Sequence, residues 1–156
     1  MTRLFALALA AGVMTGAAAY ACPDMNALGQ GFTEYGYSLW DRQYLPVTAG
    51  GSNSLSACGQ IRPVGGTGEG YFTASPDFTI SLNEMEGYDL EIRVVSDCDA
   101  ALLVNSPDGI WFYDDDSNGN LDPAISLSTV PNGYLDIWVG TFDGAYCDAT
   151  LSLETF

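Results

Sequence analysis

Beyond Pro76 the chain alternates with a period of two: Phe78, Ile80 and Leu82 against Thr79 and Ser81, then Tyr88, Leu90, Ile92 and Val94 against Asp89, Glu91 and Arg93. Such alternation is the signature of half-buried strands, because successive side chains of an extended chain point to opposite faces. Shorter apolar runs follow at Ala101 to Val104, Ile110 to Tyr113, Ile125 to Leu127, Tyr134 to Val139 and Ala149 to Leu153. Each is bounded by turn residues: Ser106-Pro107-Asp108-Gly109, the run Asp114 to Asn120, Pro131-Asn132-Gly133 and Asp143-Gly144. Many short strands at regular spacing predict an all-β fold, an antiparallel β-sandwich of jelly-roll or Ig-like type. No segment after residue 21 reads as a long helix.

The first half is less regular. From Cys22 to about Gly36 no period emerges, and an irregular segment with one short helical turn is expected. Tyr37 to Val47 is expected to form a strand around Leu39 and Leu45, followed by a turn at Ala49-Gly50-Gly51-Ser52 and a Gly-rich stretch from Gly65 to Gly70. Those glycines are too irregularly spaced for a phosphate-binding fingerprint. The expected organisation is residues 1–21 as a secretory signal, 22–70 as an irregular segment with one or two strands packed on the sandwich, and 71–156 as the sandwich.

The signal is read from Arg3, the apolar stretch Leu4 to Met14 and the small-residue site Ala19-Tyr20-Ala21. The apolar stretch is shorter than the ~20 residues a membrane-spanning helix needs. The expectation is therefore a periplasmic or secreted protein with no membrane insertion after cleavage. Export changes the reading of the cysteines. Cys22, Cys58, Cys98 and Cys147 form an even set without a C-x-x-C spacing, which favours two disulfides over metal ligation. Of three pairings, Cys22–Cys58 with Cys98–Cys147 is preferred, since each bridge then ties one half of the chain. Each would contribute about 3 to 4 kcal/mol on a chain-entropy estimate.

Charge removes several functions. The 156 residues carry 20 Asp+Glu against 4 Lys+Arg, no His, and a net charge of −16. Without histidine there is no Ser-His-Asp or Cys-His machinery and no imidazole metal site. A chain so acidic repels phosphate backbones, so nucleic acid is not a partner. All four cations are arginines, so the mature chain lacks a lysine base as well.

The densest chemical signal is Asp114-Asp115-Asp116-Ser117-Asn118-Gly119-Asn120-Leu121-Asp122. Asp114, Asp116 and Asn118 with Gly119 match the first half of a calcium loop, where alternate side chains converge on the ion. Asn120 would add a backbone carbonyl and Asp122 a further oxygen. Ile125 stands where an EF-hand needs its bidentate Glu, so this is not an EF-hand. A calcium-stabilised turn and a solvated acidic hairpin loop are the two readings of it. The second signal is Tyr134-Leu-Asp136-Ile-Trp138-Val, where alternation sets Leu135, Ile137 and Val139 on one face and Tyr134, Asp136 and Trp138 on the other. An exposed Tyr-Asp-Trp row would suit a carbohydrate ligand, with rings stacking on pyranose faces. The preferred alternative buries Trp138 under a loop or against the Cys22 to Gly70 half, and Trp111 and Tyr113 similarly. Carboxylate pairs could run glycoside hydrolysis, yet no pair stands out among twenty.

The segment 78–153 resembles the bacterial pre-peptidase C-terminal domain, a small secreted β-sandwich. The resemblance rests on Tyr88 to Val94, Ala101 to Gly109 with its Ser-Pro-Asp-Gly turn, Trp111 to Ser117, and Asn132 to Gly140, in that order. It implies a non-catalytic module of a kind often appended to exported hydrolases, some members binding matrix protein or carbohydrate and some binding calcium. No catalytic residue is carried over, and residues 22–70 fall outside it. The resulting expectation is an exported binding or stabilising module for a carbohydrate or an extracellular protein. A small acidic glycoside hydrolase and a purely structural envelope-associated protein are the alternatives.

Overall fold

The structure, a computed structural model, describes residues 21–156. The expected signal segment lies outside the described residues except for Ala21. Eleven strands follow one another: β1 Gln30–Tyr35, β2 Gln43–Ala49, β3 Asn53–Ser54, β4 Tyr71–Phe72, β5 Phe78–Asn83, β6 Leu90–Ser96, β7 Ala100–Asn105, β8 Trp111–Asp114, β9 Ala124–Leu127, β10 Gly133–Thr141 and β11 Cys147–Thr155. They form two sheets. In the larger, β10 pairs with β5 and, further along, β4 on one side and with β7 on the other; β1 extends from β5, β3 from β4 and β8 from β7. The smaller has the order β2-β11-β6-β9. All pairings between these strands are antiparallel except β1 with β5.

The expected sandwich is present, and its core is the set of inward positions of the alternating runs. Phe78, Ile80, Leu82, Leu135, Ile137, Val139, Leu102 and Val104 from the larger sheet meet Leu90, Ile92, Val94, Ile125, Leu127, Leu151 and Leu153 from the smaller. The predicted turns all fall at strand connections. Gly109 sits at φ 80°, in the left-handed region, where glycine carries no Cβ penalty.

The larger sheet is buried on its other face too. Trp138, Leu103, Ala101, Tyr113 and Phe72 form a second core with Leu55, Cys58 and Ile61 from the first half of the chain. This is why β7 is apolar nearly throughout and β10 continues apolar at both alternating positions, the pattern of strands covered on both sides. Both disulfides take the preferred pairing, Cys22–Cys58 and Cys98–Cys147. The first closes the second core. The second joins the approach to β7 in one sheet to the start of β11 in the other, stapling the sheets at one end.

The first half departs from expectation in two places. The segment from Cys22 to Gly36 is not irregular throughout, because β1 runs through it and docks parallel to β5 in register from Gln30↔Phe78 to Tyr35↔Asn83. Its signal is faint: of its side chains only Phe32 packs on the main core. The strand expected from Tyr37 begins later, since Ser38–Trp40 is a helical turn that plugs Leu39 into the core before β2 starts at Gln43. Pro46 is tolerated in β2 because that strand lies at a sheet edge and needs only one row of hydrogen bonds. Residues 22–70 thus supply the outer strands β1 and β3 to the larger sheet and β2 to the smaller.

Where β10 runs past the start of β5, the side chain of Asp77 continues the ladder. Asp77 N donates to Ile137 O at 2.8 Å, and Val139 N donates to Asp77 Oδ2 at 2.7 Å. Burial pushes this carboxyl up to about 6, against the single favourable backbone hydrogen bond. A folded pKa above the unfolded value of ~3.9 means that the native state binds the extra proton between those limits, so stability falls as pH rises through that window. Burial likewise holds Asp136, Asp99 and Asp115 above the ordinary carboxylate range, in the same direction.

The protein should therefore be more stable near pH 4.5 than near pH 7 by about 2 kcal/mol from Asp77 alone, and melt at a higher temperature there. Asp77→Asn keeps the acceptor for Val139 N and should raise the midpoint at pH 7 while flattening the profile between about pH 4 and 6; an unchanged profile by calorimetry would remove Asp77 from this role. Replacing Cys22 and Cys58 with Ser together should cost about 3 to 4 kcal/mol in denaturant unfolding and open Trp138 to acrylamide quenching.

Candidate functional site

The acidic turn follows β8. Both oxygens of Asp114 are occupied: Oδ2 accepts Ser117 N at 3.0 Å and Ala124 N at 2.8 Å, and Oδ1 accepts the Ser117 hydroxyl at 2.6 Å. Asp122 is buried, and its Oδ1 accepts both the N–H and the hydroxyl of Ser96 at 2.9 Å. The Asn118 amide donates to Val94 O at 2.9 Å, away from the turn. Gly119, Asn120 and Leu121 lie consecutively in the left-handed region, held by Asn118 N to Asp122 O and Ala100 N to Leu121 O. Of the five expected ligands, Asp114, Asn118 and Asp122 thus face separate protein partners, while Asp116 and Asn120 are exposed. Among the described residues no group of three or more Asp, Glu or Cys side chains is placed to hold a metal ion. This geometry does not fit the alternating calcium ligand set that the spacing suggests. Asp115 stands beside Asp114 and Asp116, and Asp99 is raised by burial and then by Asp116, Asp115 and Asp143.

The row Tyr134, Asp136 and Trp138 lies on one face of β10, as alternation predicts, but it is not an open platform. Tyr134 is 68% exposed, whereas Asp136 is buried and accepts the Thr79 hydroxyl at 2.6 Å. Trp138 has no exposed surface and packs at 5.2 Å from Trp111 in the second core. The first half of the chain covers these two, so the aromatic row as a ligand face is corrected to the single exposed ring of Tyr134.

An aromatic cluster that sequence reasoning missed lies at the opposite end of the sandwich from the acidic turn. Tyr35 and Tyr37 stack with ring centroids 5.5 Å apart, and Trp40 meets Tyr88 edge-on at 6.2 Å. Gly36 joins the pairs. A Cβ there would fall 2.4 Å from Tyr88 Cδ2 and 2.5 Å from Glu84 O, so only glycine lets the Tyr35–Tyr37 turn lie on Tyr88. Gly36 N donates to Asn83 O at 3.0 Å, and the Thr155 hydroxyl donates to Gly36 O at 2.7 Å. The Ser38 hydroxyl accepts Tyr35 N at 3.0 Å and donates to Glu34 Oε2 at 2.7 Å, while buried Leu39 anchors the turn. Trp40 is left 64% and Tyr37 58% exposed. Beyond them Arg42 pairs with Glu154, with exposed Tyr44 next to Arg42. Asp89 and Phe156 exchange backbone hydrogen bonds at 3.1 and 3.0 Å, bringing the exposed Phe156 beside Tyr88. The legible clue was Tyr35-Gly-Tyr37-Ser-Leu-Trp40-Asp41, three aromatics in six residues where no strand period places them in a core.

A concavity of about 670 Å³ is an open groove on the outer face of the smaller sheet with Asp97 and Asp148 among its lining. Asp77 and Asp136, the two most buried of the raised carboxyls, do not line it. Among the described residues no helix is long and apolar enough to cross a membrane.

No family model matches the chain. No curated protein matches it either. Among solved structures, the crystal structure of Aeromonas hydrophila PliG, a periplasmic lysozyme inhibitor of g-type lysozyme, is similar at 10% identity and a TM-score of 0.47, the match covering 83% of this chain and 99% of that one.

Because Asp114 organises its turn through protein donors, Asp114→Ala should destabilise the protein by about 1 to 3 kcal/mol. The loss should be as large in EGTA as in excess calcium. A loss seen only with calcium present, in parallel thermal melts, would return the turn to an ion-binding role.

Proposed function

We propose that the mature chain is an exported, non-catalytic β-sandwich that binds a protein partner through the aromatic end built on Tyr35, Tyr37, Trp40 and Tyr88. The observation that carries this reading is the exposure of Trp40 and Tyr37 on a turn that Gly36, Leu39 and Ser38 hold fixed. Large rings held rigidly in water give contact area at little entropic cost, and Trp, Tyr and Arg are the residue types that dominate binding hot spots. Arg42 and Tyr44 continue the same surface.

Export is supported by the signal-like first 21 residues and by two disulfides, which persist in oxidising compartments. The enzymatic alternative has less support. Asp77 and Asp136 each answer to a single protein donor, on Val139 and Thr79, instead of facing one another across a cleft. A carbohydrate ligand also has less support, because Tyr35 and Tyr37 stack on each other and the Tyr134 row is covered.

The test is to cross-link the mature protein, and its Tyr37→Ala/Trp40→Ala variant, to the exported proteins of its own source, then purify any partner and reconstitute the pair. A stoichiometric complex formed by the wild type and lost in the variant is expected. A partner bound equally by the variant, a glycan as the sole ligand, or turnover on glycoside substrates would overturn the reading.

A further inference from the structure

Resting on the reading that this end binds a protein, we infer that the partner is basic and that its Lys or Arg side chains seat on Trp40 and Tyr37. The rings stand inside a rim of carboxylates. Glu34 precedes Tyr35, Asp41 follows Trp40, Asp89 follows Tyr88, and Glu84 and Glu86 lie on the connection that carries Tyr88. Glu84 presents its carbonyl to Gly36, and Asp41, Glu84, Glu86 and Asp89 are exposed. Arg42, two residues past Trp40, is paired to Glu154. An aromatic face attracts a cation through its quadrupole, and neighbouring carboxylates add to that attraction.

Charge also excludes the other occupants of an exposed aromatic face. A second copy would bring an identical acidic rim, and anionic lipid or nucleic acid would be repelled by a chain with 20 Asp+Glu against 4 Lys+Arg. A partner with surface arginines or lysines meets complementary potential over the whole face and a ring on which to seat each cation. That combination steers association as well as holding the complex.

The probes are capped hexa-arginine and hexa-glutamate peptides, titrated at about 50 mM and about 300 mM salt into the oxidised mature protein carrying ¹⁵N-labelled indoles. The three tryptophans give separate reports, with Trp40 exposed and Trp138 buried. The expected result is that hexa-arginine shifts the Trp40 indole and not that of Trp138, more weakly at the higher salt, and that hexa-glutamate shifts neither. Tyr37→Ala/Trp40→Ala should weaken hexa-arginine binding about tenfold. The triple variant Asp115→Asn/Asp116→Asn/Asp143→Asn, which removes three charges at the opposite end, should change it less than about twofold.

Equal weakening by the two variants would reduce the binding to general electrostatics and overturn the inference. An unmoved Trp40 indole, or no binding at the lower salt, would do the same. If the cross-linking experiment delivers a Trp40-dependent partner with no excess of positive charge, this inference falls while the protein-binding reading stands. Failure to obtain any partner there removes that reading itself.

Discussion

The central strands β7 and β10 are apolar on both faces, and a sheet of that kind has to be covered twice. The smaller sheet covers one face. Covering the other requires Leu55, Cys58, Ile61 and Phe72 from the first half of the chain, locked down by Cys22–Cys58. Once that half is committed to the outer face, its remaining residues run along the sandwich edge, where β1 and β2 each complete one sheet. The turn between these two strands must then emerge at the sandwich end. Tyr35, Tyr37 and Trp40 ride on that turn, so the exposed cluster follows from the way the second core is closed.

A second theme is the use made of acidity. With no lysine and no histidine, this chain turns carboxylates into acceptors for its own backbone: Asp77 for Val139, Asp114 for Ser117 and Ala124, Asp122 for Ser96, Asp89 for Thr129. Each bond orders a place where strand pairing stops or a turn must hold. At Asp77 the burial that makes the bond specific also opposes ionisation. Structural precision and charge repulsion are thus two effects of the same side chains.

This dual use explains how far the sequence could be read. The strands from Phe78 to Leu153 were legible because one face is core and the period of two follows from it. The cysteine pairing was legible because each bridge serves one half of the chain. Strand β1 was not, since Gly31, Thr33 and Glu34 carry no apolar alternation and its place is set by β5, far along the chain. The Asp-rich turn looked like a ligand set because spacing alone does not show that Asp114 faces Ala124 N and Asp122 faces Ser96. Trp138 was legible further, since alternation gave its face and the preferred reading, which buries it against the Cys22 to Gly70 half, is what the second core shows. The aromatic end escaped because Tyr88 meets Trp40 only through β11, which brings β2 and β6 into one sheet.

The position of β11 has a temporal meaning. It is the last described strand, yet it lies inside the smaller sheet between β2 and β6, pairing along its length with both. Until residues 147–155 are delivered β2 has no partner in the sheet and β6 holds only β9 on its other side, and β1 similarly waits for residues 78–83. Long-range pairing of this kind delays productive collapse, because the loop must be closed before any contact rewards it. The smaller sheet therefore becomes continuous only when residues 147–155 bridge β2 to β6.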